Sequence, residues 1–174
     1  MKPSFQPPWN GIGVAFMSQT DLQSRIQRLE DLEALRDLKY RYATFCDDGY
    51  DADRLAPLFT TDAIWDGGVL GRFVGREAIR AFFQQCSKVV PFAIHQVTNP
   101  ILEVYGDRAT GRWYLWEPLV FTAGNRGMWM AARYDDRYRR EGDAWLFEMV
   151  KVDLRMLSPY EEGFAKVRIA ELPR

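Results

Sequence analysis

Apolar residues recur every three or four positions at Leu22, Ile26, Leu29, Leu32, Leu35, Leu38, Tyr42 and Phe45, which is the period of an amphipathic helix. The stripe predicts a long helix from Asp21 to about Asp48-Gly49, where glycine can take up the left-handed cap conformation. A short helix is predicted over about Ala52 to Phe59, then a strand and turn through Ala63 to Val74, and helical spacing returns from Gly75 to Cys86. From there the period changes. Pro91 to Val104, Ala109 to Thr122, Gly127 to Arg140 and Ala144 to Leu157 are rich in aromatic and β-branched residues and are separated by Tyr-Gly-Asp, Ala-Gly-Asn and Glu-Gly-Asp turns. Helices first and long strands last predict an α+β fold. It would be a cone-shaped α+β barrel: a strongly curved antiparallel sheet whose concave face is covered by the N-terminal helices around a cavity. Residues 1–20 hold several prolines and no periodicity and are expected to form a loose arm, with Met17 reading as an alternative start. Residues 21–160 then form the domain, and 161–174 a covering segment or an arm exchanged between subunits.

Composition narrows the function classes. The 174 residues suit one domain, and 23 basic against 24 acidic residues leave a net charge of −1, with no electrostatic footprint for nucleic acid or an anionic membrane. No apolar run approaches the roughly 18 residues of a membrane span, and no signal peptide is evident, so a cytoplasmic protein is expected. Cys46 and Cys86 lack zinc-ligand spacing and read as reduced thiols. The 14% aromatic content suggests a large pocket or interface. There is no Gly-rich phosphate loop, no serine elbow, no histidine pair for a metal and no dinucleotide fingerprint, so a site without cofactor or metal is expected, using acid–base chemistry alone.

His95 is the sole histidine and the side chain best suited to proton transfer near neutral pH. Asp47 and Asp48 close the long helix, where the dipole disfavours negative charge; they read either as a solvated cap or, for Asp47, as an acceptor that fixes the His95 ring. Strand alternation sets Trp113, Leu115, Glu117 and Leu119 on one face. If that face is inward, Glu117 is a carboxylate in an apolar pocket; the alternative is that Pro118 marks a bulge and Glu117 meets solvent. Lys151 and Arg155 share a face of the last strand, either as anion stabilisers or as part of an outer face with Val152, Leu154 and Met156 inside. Tyr40 lies seven residues before Asp47 on one helical face, so spacing favours Tyr40 over Tyr42 as a phenol donor. Trp65, Phe83, Trp113 and Trp129 are expected to shape the pocket.

Several stretches carry a resemblance: Thr110-Gly-Arg-Trp-Tyr-Leu115 with Glu117 beyond it, Leu32 to Tyr42 followed by Cys46-Asp47, Ile94-His95, and Tyr134-Asp-Asp-Arg-Tyr138 before Trp145. Over about residues 22 to 160 the chain resembles the nuclear transport factor 2-like superfamily, in its SnoaL-like (polyketide-cyclase-like) and scytalone-dehydratase-like branch, and most nearly its bile acid 7α-dehydratases. The resemblance implies catalytic roles for Tyr42, Asp47 and His95, and places Glu117 where those dehydratases carry an aspartate. Their last-strand arginine has no in-register match; Arg155 fits after a shift of one residue, and Lys151 lies near the arginine of dehydrochlorinase relatives after a similar shift. Residues expected to bind substrate, from the chain's own patterning as well as the resemblance, are Tyr40, Trp65, Phe83, Trp113, Leu115, Trp129 and Lys151. The implied activity is cofactor-independent β-elimination on a small apolar hydroxy-carbonyl compound such as a hydroxysteroid. Isomerisation, polyketide cyclisation and simple ligand binding are the alternatives. A homo-oligomer is expected, with a trimer favoured and a dimer as the alternative.

Overall fold

The structure is a computed structural model describing residues 18–172, so the arm expected over 1–20 lies outside the described residues except for Ser18, Gln19 and Thr20. Ser18 starts helix α1 (Gln19–Asp47) with a capping box, its hydroxyl accepting from the Asp21 N–H while the Asp21 carboxylate accepts from the Ser18 N–H. α1 meets the core from Asp31 onward, through Asp31, Leu35, Leu38, Lys39, Tyr42, Ala43 and Cys46. Leu22, Ile26 and Leu29, the start of the apolar stripe, are exposed.

Asp51 caps the short α2 (Ala52–Leu55), which leads through a 3₁₀ turn to strand β1 (Phe59–Asp66), then β2 (Arg72–Val74) and α3 (Arg76–Val89). The two-residue β3 (Phe92–Ala93) and the long strands follow: β4 (Gln96–Tyr105), β5 (Arg108–Phe121), β6 (Arg126–Glu141) and β7 (Ala144–Pro159). Their order in the sheet is β2-β1-β7-β6-β5, and β3 and β4 share the outer edge of β5. The α+β class and the curved sheet under N-terminal helices are as the sequence predicts. The sheet is mixed, however, because β1 pairs parallel with β7, and it is unclosed, because β2 at one end is not paired with β3 or β4 at the other. Between β1 and β7 the chain runs through β2, α3 and β3 to β6, so the parallel pairing joins segments that no single turn connects.

Burial alternates along β5 from Ala109 to Leu119, with Gly111, Trp113, Leu115 and Glu117 on the concave face. Gly111 is required there, since a Cβ would stand 2.8 Å from the Tyr138 hydroxyl. Bulges in β4 and in the β6–β7 pairing bend the sheet into a cup. The closed end of the cup is filled by α1 and by a buried polar network. Lys39 Nζ lies 2.9 Å from Asp136 Oδ2 and 3.2 Å from the centre of the Tyr134 ring. Tyr138 donates to the same Asp136 oxygen at 3.0 Å, and Trp113 Nε1 donates to the Tyr138 hydroxyl at 3.0 Å. The tail after β7 turns back: Leu157 N–H donates to the Arg168 carbonyl, and Ala170 N–H to the Leu157 carbonyl.

Candidate active site

The open end of the cup holds a cavity of about 540 Å³, within the usual range for small-molecule sites. Its wall is largely apolar, formed by Trp65, Phe82, Phe83, Leu119, Phe121, Met130, Val152 and Leu157, with Leu172 of the tail closing one side. Polar groups reach it at a few points. Tyr42 comes from the end of α1, Tyr50 from the turn that follows, His95 from the β3–β4 junction, Glu117 from β5, Tyr134 from β6, and Cys86 and Lys88 from α3.

Three of these side chains and Asp47 form a chain of proton-bearing groups. One oxygen of Asp47, Oδ1, accepts from both the His95 backbone N–H and the ring Nδ1, each at 2.8 Å. This double contact fixes the imidazole with Nδ1 as donor and turns Nε2 toward Glu117, whose Oε1 is 3.5 Å away. That distance exceeds the usual N–H···O range of about 2.7–3.2 Å, so Nε2 is oriented without being tied up. Tyr50 donates its hydroxyl to the same Glu117 oxygen at 3.3 Å, and Glu117 Oε2 is buried with no hydrogen-bond partner among the described residues.

Burial governs the electrostatics. The His95 side chain is 5% exposed and that of Glu117 1%. Burial opposes the imidazolium, but the Glu117 charge and the hydrogen bond and charge of Asp47 outweigh it and hold His95 above its ordinary 6.5. Burial drives the Glu117 carboxyl above its ordinary 4.5, against the opposing pull of His95 and Tyr50. The site thus favours holding a proton somewhere on the His95–Glu117 pair. Burial also pushes the phenols of Tyr42, Tyr50 and Tyr134 well above 10, so they are donors rather than phenolates, and lifts the Cys86 thiol to about 12. The Tyr42 hydroxyl accepts from Trp65 Nε1 at 3.1 Å. Among the described residues no group of three His, Cys, Asp or Glu side chains could hold a metal ion; Asp47 and Glu117 sit on opposite nitrogens of one ring rather than around a common point.

The structure brings Tyr42, Asp47, His95 and Glu117 together at the cavity, with Trp65 and Phe83 in its wall. Tyr40 does not join them: it is 45% exposed and sets its edge against Trp113. The axis of α1 lies so that position 42, not 40, meets the concave face. Trp113 and Leu115 face inward but lie toward the closed end, where Tyr40 and Tyr138 cover Trp113; neither lines the cavity. Trp129 belongs to the opposite face from Met128 and Met130, and it stacks on Trp116 at 5.3 Å. Lys151 and Arg155 point away from the cavity, and it is Val150, Val152 and Leu157 that are buried. Arg155 is the extra residue of a bulge and pairs with Asp153 at 2.7 Å, while Lys151 lines a separate shallow groove. Among the described residues no arginine therefore lines the cavity. Sequence reasoning missed Tyr50, Tyr134 and Lys39. A tyrosine straight after the Asp48-Gly49 helix stop was the available signal for the first.

Known proteins place the chain. Over 100 aligned residues it is 35% identical to an uncharacterized protein of Mycobacterium tuberculosis, an alignment covering 53% of this chain and 65% of that relative's length. The structure of a Novosphingobium aromaticivorans protein labelled an aromatic ring hydroxylase superposes with a TM-score of 0.70 at 30% identity, covering 79% of this chain and 96% of the other. The hexachlorocyclohexane dehydrochlorinase LinA-type3 from Novosphingobium barchaimii superposes with a TM-score of 0.73, covering 86% of this chain and 99% of its own; at 24% identity that likeness speaks for the fold alone. Residues 27–151 match the SnoaL-like domain family, and the chain belongs to it, built on the nuclear transport factor 2-like fold.

Proposed function

We propose that this protein is a cofactor-independent lyase that removes water from a small apolar hydroxy-carbonyl compound by acid–base β-elimination. The observation that carries this reading is the Asp47–His95–Glu117 chain opening on an apolar cavity. His95 Nε2 takes the proton next to the substrate carbonyl, and Asp47 supports the imidazolium that forms. Tyr42 supplies a hydroxyl for the carbonyl oxygen as negative charge develops there. Glu117 in its protonated form donates to the departing hydroxyl, which leaves as water while the new double bond forms. His95 is then an imidazolium facing a Glu117 carboxylate, and return of the proton from Nε2 to the carboxyl oxygen that gave it, relayed by the released water, restores the starting state. The dehydrochlorinase that shares the fold is named for an elimination, which agrees with this choice.

Isomerisation is the second reading, because a base and a carboxyl group side by side can also move a proton between two carbons. Trp116, Tyr114 and Phe92, exposed on or beside the outer sheet, support self-association, with a trimer as the expected assembly and a dimer as the alternative. Among the described residues no helix is long and apolar enough to cross a membrane; a cytoplasmic site of action is part of the proposal. The test follows conjugated-dienone absorbance over a panel of hydroxylated enones, together with product mass, for wild type, His95→Ala and Asp47→Asn. Loss of water by wild type and its disappearance in His95→Ala supports the lyase. A product of unchanged mass transfers the assignment to isomerisation, and no turnover with ligand still bound leaves a binding protein.

A further inference from the structure

Tyr50 has a backbone φ of 56°, the left-handed region that a bulky residue rarely occupies. Strain of this kind persists only where the surroundings over-determine it, and here they do. The Tyr50 N–H donates to the Cys46 carbonyl at 2.9 Å and thereby finishes α1. Its ring stacks on Phe83 at 6.4 Å and sets an edge against the His95 ring at 5.8 Å. The outcome is a phenol delivered into the cavity wall with its hydroxyl 3.3 Å from Glu117 Oε1.

We propose that Tyr50 is the positioning residue of this site: its hydroxyl holds Glu117 Oε1 beside His95 Nε2, so that Oε2 is the oxygen presented to the substrate's departing hydroxyl. The inference rests on the elimination reading for the identity of that hydroxyl, but the contact itself does not. Oε1 is claimed by two neighbours, His95 and Tyr50, whereas Oε2 has none. Without the phenol, the carboxyl group is free to turn about its last bond and present either oxygen.

Tyr50 also influences which partner holds the proton. A phenol hydrogen bond to a carboxylate favours its ionised form, and a charged Glu117 favours protonated His95. Other ionisable groups face the pair: Asp47 and Cys46 from α1, Cys86 from α3, Tyr134 from β6, and Lys39 from deeper in the core. The two thiols and Tyr134 are held in their neutral forms by burial, so Tyr50 is the neutral group in hydrogen-bond contact with Glu117.

Because His95 is the sole histidine, its ring can be titrated by NMR without assignment ambiguity and without any substrate. The experiment compares wild type, Tyr50→Phe, which removes only the hydroxyl, and Tyr50→Asn, which tolerates the left-handed backbone and removes the ring as well. In each, His95 is followed through its ring nitrogens and Glu117 through its labelled carboxyl carbon. The expected result in whichever variant folds is a Glu117 midpoint moved up and a His95 midpoint moved down toward 6.5. Where a substrate has been found, turnover by Tyr50→Phe falls roughly tenfold, the scale of one net hydrogen bond, with a much smaller change in KM. Midpoints unchanged or moved the opposite way overturn the proposal. If the midpoints move as expected but no protein in the series performs elimination, the positioning role stands and the lyase reading fails.

Discussion

Two of the clusters of buried charge among the described residues invite comparison, because they are built differently. In the closed end, Lys39 and Asp136 are both fully buried, meet at 2.9 Å and are enclosed by Tyr134 and Tyr138. In the open end, Asp47 keeps about a third of its side chain exposed, His95 stands 3.5 Å from Glu117, and the group faces a cavity. Each cluster leaves one carboxylate oxygen without a partner, Oδ1 of Asp136 and Oε2 of Glu117. An unmet oxygen alone therefore does not mark the place proposed to be reactive. Access and slack do: one cluster is short and sealed, the other is loose and borders empty volume.

The comparison can be broken most severely at His95. His95→Gln is expected to lower elimination by about 10²–10⁴-fold while the urea unfolding midpoint stays close to that of wild type. The reverse is expected at Lys39. Lys39→Met leaves Asp136 buried without its cation, and denaturant titration should show a loss of about 3–5 kcal/mol. Replacing both members, Lys39→Met with Asp136→Leu, should recover most of that stability and retain activity. A stable double variant without activity would move the ion pair from scaffold into the reactive machinery.

The next effect is a shift with pH. His95 is held above its ordinary 6.5, so its stabilising contribution is complete below pH 6.5 and is lost as pH rises through the native value. Glu117 is also raised, and its contribution is complete below 4.5 and lost as pH rises past its own native value. The neutral base requires a pH above the native His95 value, so the acid limb of the rate profile should lie above 6.5. Asp47→Asn removes a charge and weakens the bond to Nδ1, and the limb should move down toward 6.5 with a smaller rate loss than at His95. A limb that stays in place would separate Asp47 from the basicity of His95. The smallest effects are expected on the outer sheet face. Arg155→Ala and Lys151→Ala should change stability by no more than about 0.5 kcal/mol and leave the rate profile unaltered. A large rate loss at either would place a cation in the reactive end after all.

Much of this contrast is legible in the chain, for identifiable reasons. The strict alternation of β5 sends Glu117 inward with Trp113 and Leu119, and burial follows that alternation residue by residue. Helical spacing finds α1 but favours Tyr40 over Tyr42, because a seven-residue step back from Asp47 follows the face of that aspartate and not the apolar stripe, and it is the stripe residue Tyr42 that is buried while Tyr40 is exposed. Lys39 escapes for a related reason. A lysine among hydrophobic positions reads as solvated, and only the distant Asp136, ninety-seven residues on, makes its burial tolerable. On the last strand alternation leaves Lys151 and Arg155 open between the two faces; both are exposed, as its outer-face alternative has it, and what a register count cannot see is the bulge at Arg155, after which Met156 and Leu157 are both buried. The parallel pairing of β1 with β7 is likewise silent, since it joins segments that share no turn. Tyr50 is hidden by its backbone: a left-handed tyrosine has no periodic signature.

The returning tail gives the molecule a modular character. Leu172 completes the cavity wall, yet the segment that carries it is tied to β7 by hydrogen bonds at Leu157, while the proton-handling residues are rooted in α1, the β3–β4 junction and β5. One part of the cavity wall is thereby written in a stretch of chain apart from the proposed chemistry, while the rest shares its elements. A graft of residues 161–172 from another member of the fold should re-tailor the container and leave the engine untouched.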